Sequence, residues 1–310
     1  MLSPLMARDD QAHTDLAALL SGETLVRVGE PLAKRTTLRV GGPADYYVEP
    51  ASETDLSRLL QYCKEQNLKF TLLGRGSNLL IRDGGIRGVV ICLNHANFSR
   101  LEIKGDKLHA GAGVKLKTLA VEARRAGLAG LEFLEGIPGS LGGSLRMNAG
   151  AMGSWLFDVL EQVRYMAPCG EVHEKPAAEI PAEYRGCPLF RTHLALGAVL
   201  RGTPAEPAAI AARMAQYSEK RWGSQPKEPS AGCIFKNPQE IPAGKLVDEL
   251  GLKGTRVGGA VVSAEHGNFI INDGTATAKD VLALIALLKE KVKAARGVDL
   301  HTEVEILGED

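Results

Sequence analysis

The sequence predicts an α+β protein of two domains, and three observations lead to this class. The chain has 310 residues, more than one typical hydrophobic core accommodates and about enough for two. Strand-like runs alternate with helical runs, and a hairpin among them indicates a mixed sheet. At 203–210 the composition shifts to alanine and proline, which marks a boundary before a second region.

The elements of the first region follow from local patterns. Residues 1–30 predict a short helix in an N-terminal extension. TLRVGGPADYYVEP at 37–50 predicts a strand, a glycine turn and a second strand, and apolar spacing predicts a helix at 55–66. LKFTLL and IRGVVICL predict strands on either side of the glycine loop GRGSN. LEIKGDKLHAGAG at 101–113 predicts a hairpin, and the helix after it ends at Gly127.

The second region begins with a helix that continues to about Arg221. RVGGAVVS and GNFIIN predict strands, a capping box at Thr277 begins a long helix, and EVEIL predicts the last strand. We therefore divide the chain into an extension at 1–30, a first domain at 31–205 and a C-terminal domain at 206–310.

Charge and cysteine content exclude several classes of protein. Lys plus Arg and Asp plus Glu both number 37, so net charge provides no general attraction to nucleic acid or to an anionic membrane. The five cysteines are widely spaced and form no CxxC pair, which argues against a disulfide framework and a metal site. The longest apolar run, VLALIALL, is far shorter than the about 20 residues of a membrane span, and we expect a cytoplasmic protein.

Two glycine-rich loops indicate a ligand. GRGSNLLIRDGG at 74–85 directly follows a strand, and its small residues suit contact between main-chain amides and a phosphate. Leu79 stands where the third glycine of GxGxxG belongs, which disfavours a Rossmann site. The loop at 136–153 contains six glycines, a composition that is entropically costly unless the chain lies against something. The pair predicts one long ligand with phosphate groups; the alternative is that each loop is only a set of tight turns.

The order of the motifs resembles that of UDP-N-acetylenolpyruvoylglucosamine reductases, also called UDP-N-acetylmuramate dehydrogenases. The resemblance covers about residues 30–307 and rests on TLRVGGPADYYVEP, LLGRGSNLLIRDGG, GIPGSLGGSLRMNAGA, the pair Tyr184-Arg185, PSAGCIFKNP, AGKLVDELGLKG and HTEVEIL. It implies an FAD-binding domain of the vanillyl-alcohol-oxidase type, made of two α/β lobes, and a C-terminal α+β substrate-binding domain.

The same resemblance implies the reaction and the cofactor. NADPH is the co-substrate, and non-covalent FAD mediates reduction of UDP-N-acetylglucosamine enolpyruvate to UDP-N-acetylmuramate in peptidoglycan precursor synthesis. Both glycine loops are then expected to bind FAD, through Gly74, Arg75, Gly76, Ser77, Asn78, Leu79, Ile137, Pro138, Gly139, Ser140, Gly143, Asn148, Ala149 and Gly150.

Three catalytic residues follow from the motif match. Arg185 is expected to hold the substrate carboxylate, and Glu303 to hydrogen-bond the intermediate that develops after hydride transfer. Glu305 is the main alternative to Glu303, because residues two apart on a strand face the same side. Cys233 is expected to donate the proton. Arg185 could instead form an ordinary salt bridge.

Cys233 departs from the commoner family pattern, which has a serine at this position. A free thiol has a pKa of about 8.5 and is mostly protonated at neutral pH, so a neutral thiol can donate a proton to carbon. The alternative is a buried, inert cysteine in a space of serine size.

Substrate binding is expected to use Tyr184, Arg221, Gln225 and Asn237, again by resemblance. The segment between Arg185 and the strand at 194–201 is too short for the tyrosine-bearing loop that one branch of the family folds over the substrate diphosphate. The chain therefore resembles the shorter branch, and the resemblance does not assign the residues that contact the substrate diphosphate. We expect a UDP-sugar as its partner, no nucleic acid, no membrane and a monomeric state.

Two alternative functions remain at this point. A flavin-dependent oxidase of a small alcohol or sugar explains both glycine loops but not Glu303 or the PSAG run. A non-catalytic nucleotide-binding or regulatory module explains the loops alone.

Overall fold

A computed structural model describes residues 4–310, with side chains from Gln11 onward, and its helices and sheets confirm an α+β protein. Seven α-helices lie in the described residues: α1 (Pro4–Leu19), α2 (Glu53–Glu65), α3 (Leu116–Arg125), α4 (Leu141–Met147), α5 (Pro207–Trp222), α6 (Ala243–Glu249) and α7 (Ala278–Arg296). None of these helices combines the length and the apolar character that crossing a membrane requires.

Nineteen strands occur in the same residues. In the first half of the chain they are β1 (Leu25–Pro31), β2 (Pro43–Glu49), β3 (Phe70–Leu72), β4 (Leu79–Ile81), β5 (Ile86–Ile91), β6 (Leu101–Lys104), β7 (Lys107–Gly111), β8 (Leu128–Ala129), β9 (Gly150–Ala151) and β10 (Ser154–Trp155). In the second half they are β11 (Leu160–Met166), β12 (Val172–Pro176), β13 (Leu194–Arg201), β14 (Thr203–Pro204), β15 (Ser230–Cys233), β16 (Arg256–Val257), β17 (Ala260–Val262), β18 (Phe269–Asn272) and β19 (Glu305–Leu307).

The chain divides into two compact units that are discontinuous in sequence. The first unit contains the residues up to Val28, Tyr46–Gly74 and Gly88–Lys220, and the second contains Gly29–Asp45, Arg75–Arg87 and Arg221–Asp310. Strands β1, β2 and β5 contribute residues to both units. The three continuous segments expected from the sequence, at 1–30, 31–205 and 206–310, stay a prediction.

The first unit contains a five-stranded antiparallel sheet in the order β12, β11, β13, β7, β6. Leu108 and Leu200 of this sheet share one buried cluster with Leu119 of α3 and Leu145 of α4. Burial of each such leucine contributes about 1.5–3 kcal/mol, so the two helices are held by apolar contact. The predicted hairpin at Gly105 is confirmed, and so is the end of α3 near Gly127, whose φ is 68°.

A second cluster in this unit forms around α2. Leu56, Leu59, Leu60 and Cys63 lie at helical spacing and are buried with residues of β5, which pairs in parallel with β3. The helix predicted at 55–66 is therefore confirmed, and it begins slightly earlier than predicted, after the N-cap Ser52.

Asp55 connects α2 to the segment that precedes β1. Its carboxylate accepts hydrogen bonds from the Ser21 amide at 3.0 Å, the Ser21 hydroxyl at 2.7 Å, the Thr24 hydroxyl at 3.1 Å and the Ser52 hydroxyl at 3.0 Å. Four donors satisfy a carboxylate that is 2% exposed, so its burial does not leave a charge without partners.

The second unit contains a four-stranded antiparallel sheet in the order β15, β18, β17, β16, against which α7 packs. The predicted capping box is confirmed: the Thr277 hydroxyl accepts from the Asp280 amide, and the Asp280 carboxylate accepts from the Thr277 amide. Asp83 adds a second cap, since its carboxylate accepts from the first two amides of the helix, those of Ala278 and Lys279.

The strand predicted at the beginning of 37–50 is wrong, because only β2 forms there. The Thr37 amide donates to the Gly76 carbonyl, and the Thr37 hydroxyl donates to the Ser230 carbonyl at 2.7 Å. Thr37 thus bonds to Gly76 of the first glycine loop and to Ser230 of β15, both distant in sequence, and takes part in no strand pairing of its own. Arg39 is in the left-handed region, with φ of 59°, which also interrupts an extended chain.

Candidate active site

The two glycine loops approach each other within the first unit. A Cβ atom placed on Gly74 would lie 3.3 Å from the Ser140 hydroxyl and 3.9 Å from the Cα of Gly143. A Cβ on Gly143 would meet only the Ser140 hydroxyl, at 3.9 Å, so there is open space beside that backbone. Bare main chain on facing loops forms a cradle that a side chain would fill. These residues therefore fit a ligand that needs close main-chain contact, as the diphosphate of FAD does.

The second loop is less irregular than the sequence predicts, since it contains the helix α4. Leu141 and Leu145 are four residues apart and both buried, a helical signal that the glycines concealed. The Leu141 amide donates to the Val114 carbonyl and the Gly142 amide to the Ala112 carbonyl, which fix the start of the helix. The helix ends at Asn148 in the left-handed conformation, with φ of 38° and ψ of 58°.

Asn148 holds the turn that carries Arg185. Its side-chain amide donates to the Glu183 carbonyl at 3.3 Å, and its side-chain oxygen accepts from the Phe157 amide at 3.3 Å. A second link joins the Cys187 amide to the Arg146 carbonyl at 2.9 Å. The second glycine loop and the turn at 183–186 are therefore one hydrogen-bonded structure.

The turn itself is tight. Glu183 and Gly186 exchange two main-chain hydrogen bonds, of 2.8 and 3.2 Å, with Tyr184 and Arg185 between them. Arg185 has φ of 58°, a left-handed conformation that costs about 1 kcal/mol or more in a residue other than glycine. Tyr184 is exposed, whereas Arg185 is half-buried and its Nε atom is buried.

Trp155 lies against both residues of this turn, a contact that sequence reasoning missed. Its ring makes an edge-to-face contact with Tyr184, with centroids 5.5 Å apart, and the Arg185 guanidinium carbon lies 5.8 Å from the Trp155 centroid. The available signal was an aromatic residue two positions after the second glycine loop.

In the second unit, the first glycine loop packs against the segment before β2. A Cβ on Gly76 would lie 2.6 Å from the Arg35 carbonyl oxygen and 2.7 Å from the Cα of Thr36, so only glycine fits. Beside Thr36 is a cavity of about 350 Å³ whose lining includes Lys34 and Arg39. These two cations were also missed; basic residues on either side of a TTL run beside a glycine loop suit a phosphate-bearing ligand.

Cys233 is the last residue of β15 and lies opposite Phe269 of β18. The strand pairing is irregular between Ser230 and Cys233, and Gly232 has φ of 76°, so the chain bends just before the thiol. Cys233 is half-buried, which argues against the fully buried, inert cysteine considered above.

Asn268 holds the segment after Cys233. This asparagine is buried, and its side-chain oxygen accepts from the Phe235 amide while its side-chain nitrogen donates to the Phe235 carbonyl, both at 2.8 Å. The Ile234 amide also donates to the Asn268 carbonyl at 2.8 Å. The main chain that follows the thiol is thus fixed at three points.

Glu303 lies next to this segment and to the first glycine loop. Its amide donates to the Ile234 carbonyl at 2.8 Å, and its carbonyl accepts from the Asn78 side chain at 3.2 Å. The Glu305 amide donates to the Asn78 carbonyl at 3.1 Å, where β19 begins its parallel pairing with β4. The second unit therefore brings together Asn78, Glu303 and the residue after Cys233.

Glu303 was expected at the start of the last strand, and this is wrong. The strand β19 begins at Glu305, and the residue before Glu303 instead forms an isolated bridge with Phe235. The two-residue period of a strand therefore does not relate Glu303 to Glu305, because the chain between them leaves one pairing partner and joins another.

The other expected substrate residues lie in the second unit. At the end of α5 the Arg221 Nε donates to the Gln225 side-chain oxygen at 3.2 Å, and the guanidinium carbon lies 4.8 Å from the Trp222 ring centroid. The Asn237 side-chain oxygen accepts from the Ala243 amide at the start of α6. Asn237 thus has a role in the fold, and its role in substrate binding stays a prediction.

Two protein-family models match the chain. Residues 225–307 match the model described as the C-terminal domain of UDP-N-acetylenolpyruvoylglucosamine reductase, and residues 44–175 match an FAD binding domain.

Curated relatives and a solved structure are similar over most of the chain. The chain is 45% identical to UDP-N-acetylenolpyruvoylglucosamine reductase of Geobacter metallireducens, with 97% of this chain and 100% of that protein covered. It is 42% identical to the Bacillus subtilis enzyme of the same name, with 91% and 94% covered. The crystal structure of the Thermus caldophilus reductase superposes with a TM-score of 0.79 at 39% identity, with 91% of this chain and 98% of that chain covered.

Proposed function

The chain belongs to the UDP-N-acetylenolpyruvoylglucosamine reductase family, and from that premise we propose how its own residues carry out the reaction. It is an FAD-dependent oxidoreductase that uses NADPH to reduce UDP-N-acetylglucosamine enolpyruvate in peptidoglycan precursor synthesis. Family membership sets aside both the small-molecule oxidase and the non-catalytic nucleotide-binding module.

FAD, when bound, supplies a hydride acceptor for NADPH and a hydride donor for the methylene carbon of the enolpyruvyl ether. The residues that would hold it are the two glycine loops, where Gly74 and Gly143 leave main chain uncovered and Gly76 allows close packing of the first loop. Lys34 and Arg39 add positive charge beside that loop. Cations of this kind suit contact with a phosphate group.

Arg185 is the proposed partner of the substrate carboxylate. Hydride addition leaves negative charge on the carbon beside that carboxylate, so a fixed cation stabilises the transition state more than the ground state. The half-buried position of Arg185 supports this role, because charge interactions are stronger where water is partly excluded. Its planar guanidinium can also donate two parallel hydrogen bonds to a carboxylate.

Cys233 is the proposed proton donor. Its S–H proton goes to the carbon beside the carboxylate, the S–H bond electrons stay on sulfur, and the thiolate regains a proton from solvent. Glu303 is the proposed hydrogen-bonding partner of the developing intermediate. Both assignments are supported by the hydrogen bond of 2.8 Å from the Glu303 amide to the carbonyl of the residue after Cys233, which holds the two main-chain segments side by side.

The rest of the UDP-sugar is proposed to bind to Tyr184, Arg221, Gln225 and Asn237. The chain has the pattern of the shorter family branch, without a tyrosine-bearing loop, so Arg221 is the proposed diphosphate cation. We further propose a cytoplasmic, monomeric enzyme; the five free thiols support a reducing compartment.

The direct test is NADPH oxidation measured with and without UDP-N-acetylglucosamine enolpyruvate. We expect oxidation that depends on this substrate, with UDP-N-acetylmuramate as the product. Flavin reduction by NADPH without any substrate-dependent turnover would contradict the function.

Substitution of Cys233 separates the two half-reactions. We expect Cys233→Ala to keep flavin reduction by NADPH near the wild-type rate and to slow flavin reoxidation by the enol ether by about 100-fold or more, because only the second step needs the proton. Cys233→Ser is expected to retain more activity than the alanine variant.

The matched control is Cys169→Ala, which removes an exposed thiol of the first unit and should leave both half-reactions unchanged. Equal losses in both half-reactions of Cys233→Ala would indicate damage to the structure and argue against proton donation.

A further inference from the structure

We propose that Trp155 is a positioning residue, which holds the Arg185 guanidinium in place before the substrate carboxylate arrives. The inference rests on the proposed function of Arg185 and adds a residue that the motif resemblance does not include. It is carried by the packing of one hairpin against one turn, both in the first unit.

The position of the Trp155 ring is fixed by the hairpin of β9 and β10. Trp155 lies opposite Gly150 in this pairing, and a Cβ atom on Gly150 would overlap the Cε3 atom of the ring. The ring therefore lies directly on the Gly150 main chain, where only glycine leaves room for it. The Trp155 amide also donates to the Asp158 carboxylate at 2.8 Å, which fixes the main chain on the other side.

The Trp155 ring also contacts the turn at 183–186, which carries Tyr184 and Arg185. The Arg185 guanidinium carbon is 5.8 Å from the Trp155 centroid and 5.6 Å from the Tyr184 centroid, and the two rings are inclined at 77° to each other. Both distances are within the about 6 Å over which a cation is attracted to an aromatic face. The guanidinium is therefore attracted to two aromatic rings, those of Trp155 and Tyr184.

Arginine needs such support because its long side chain loses more conformational entropy on ordering than most others. The turn fixes the Arg185 main chain in a left-handed conformation, but main-chain restraint alone leaves the side-chain torsions open. Trp155 adds a restraint on the guanidinium from a separate hairpin. Substrate binding then requires less ordering, so the residue should act on KM for the enol ether and not on reduction by NADPH.

The experiment compares Trp155→Phe with Trp155→Leu in the full-length, FAD-loaded enzyme. Phenylalanine keeps an aromatic face, whereas leucine keeps an apolar side chain without one, and both retain the main-chain bond to Asp158. We expect Trp155→Leu to raise KM for UDP-N-acetylglucosamine enolpyruvate by about tenfold, and Trp155→Phe to raise it by less than about threefold. Flavin content and flavin reduction by NADPH should equal those of wild type in both variants.

A binding measurement isolates the carboxylate. UDP-N-acetylmuramate carries the carboxylate that Arg185 is proposed to hold, and UDP-N-acetylglucosamine lacks it. Trp155→Leu should weaken binding of the first by about tenfold and leave the affinity for the second unchanged.

The outcomes distinguish failure of the Trp155 role from failure of the Arg185 role on which it rests. If wild-type enzyme turns over the substrate and Trp155→Leu has wild-type KM and wild-type affinity for UDP-N-acetylmuramate, the role of Trp155 is refuted. Equal weakening for both ligands, or equal effects of leucine and phenylalanine, would also refute it, since neither result depends on the aromatic face. If Arg185→Ala turns over the substrate like wild type, the proposed role of Arg185 fails first.

Discussion

Asparagine side chains fix several main-chain segments of the site. Three of them, Asn78, Asn148 and Asn268, bond main-chain atoms elsewhere in the chain, and Asn148 and Asn268 do so with both ends of the amide. An amide can do this because it carries a donor and an acceptor on one planar group, which a carboxylate or an ammonium does not. Local sequence patterns do not reveal such a role, since the bonded partners lie up to 225 residues away.

His266 lies beside Asn268, the residue whose side chain holds the Phe235 main chain. It is the titratable residue closest in sequence to Asn268. The His266 Nδ1 accepts from the Asn268 amide at 3.1 Å, and the ring lies 4.8 Å from the Phe269 ring. Burial lowers the pKa of His266 below its ordinary value, and the positive charge of Lys253 lowers it further. The folded protein therefore favours the neutral ring.

We expect His266→Asn to remove part of the acid sensitivity of the protein. Because the pKa is lower in the folded than in the unfolded state, the unfolded state binds more protons, and stability falls as pH drops below about 6.5. Asparagine keeps an acceptor for the Asn268 amide and does not titrate in this range. Urea denaturation at pH 7.5 and pH 5.5 should show a smaller loss of unfolding free energy in the variant than in wild type; an equal or larger loss would contradict the assignment.

At the scale of elements, the buried carboxylate of Asp55 holds the start of α2 to the segment that precedes β1. Burial by itself would raise the pKa of Asp55, but hydrogen bonds from Ser21, Ser52 and Thr24 together outweigh it and lower that pKa. The ionised form thus ties the N-terminal turn of the helix to the residues before β1.

We expect Asp55→Asn to lower the free energy of unfolding by about 2 kcal/mol at pH 7, because an amide cannot accept all four donors. The pKa is depressed in the folded state, so the carboxylate stabilises the protein above its unfolded pKa of about 3.9 and loses this effect as pH falls through the folded value. Chemical denaturation should therefore show a difference that shrinks below about pH 4.

The control for Asp55 is Asp299→Asn, which alters an exposed carboxylate paired with Lys293. Exposed ion pairs contribute little, so this variant should change stability by less than about 0.5 kcal/mol. Similar effects of the two substitutions would show that burial of Asp55 is not the cause.

The elements that sequence patterns predicted well are those with local signals. The apolar spacing of α2, the hairpin turn at Gly105 and the capping box at Thr277 each depend on residues within a few positions of one another, and the structure confirms all three. The strand prediction for the segment before β2 was wrong because the hydrogen-bond partners of Thr37 are the carbonyls of Gly76 and Ser230. No local pattern encodes those contacts.

At the scale of the whole molecule, the candidate site was predicted from the order of motifs and not from local chemistry. Cys233 and Arg185 have no sequence neighbours that mark them as reactive, and their proposed roles came from the resemblance alone. The structure adds the hydrogen-bonded frame around each of them and the aromatic contact of Trp155. Sequence reasoning missed that contact, because it depends on the pairing register of two strands of two residues each, β9 and β10.

Removal of FAD should destabilise the whole molecule. A ligand that binds only the folded state adds about 2.7 kcal/mol at 100 times its Kd, so the Tm of the flavin-free enzyme should rise steadily with added FAD. The uncovered main chain at Gly74 and Gly143 fits a diphosphate, so riboflavin, which lacks one, should raise Tm much less at equal concentration. Equal shifts with FAD and riboflavin in differential scanning fluorimetry would contradict the role of the loops.

The bond between the Asn78 side chain and the Glu303 carbonyl has a consequence for biosynthesis. The two residues are 225 positions apart, so at about 5–20 residues per second Glu303 is translated roughly 10–45 s after Asn78. During that interval the nascent chain contains the first glycine loop without the strand and the carbonyl that later hold it. Flavin loading is therefore expected to follow translation of residue 303, as a late step in the maturation of the enzyme.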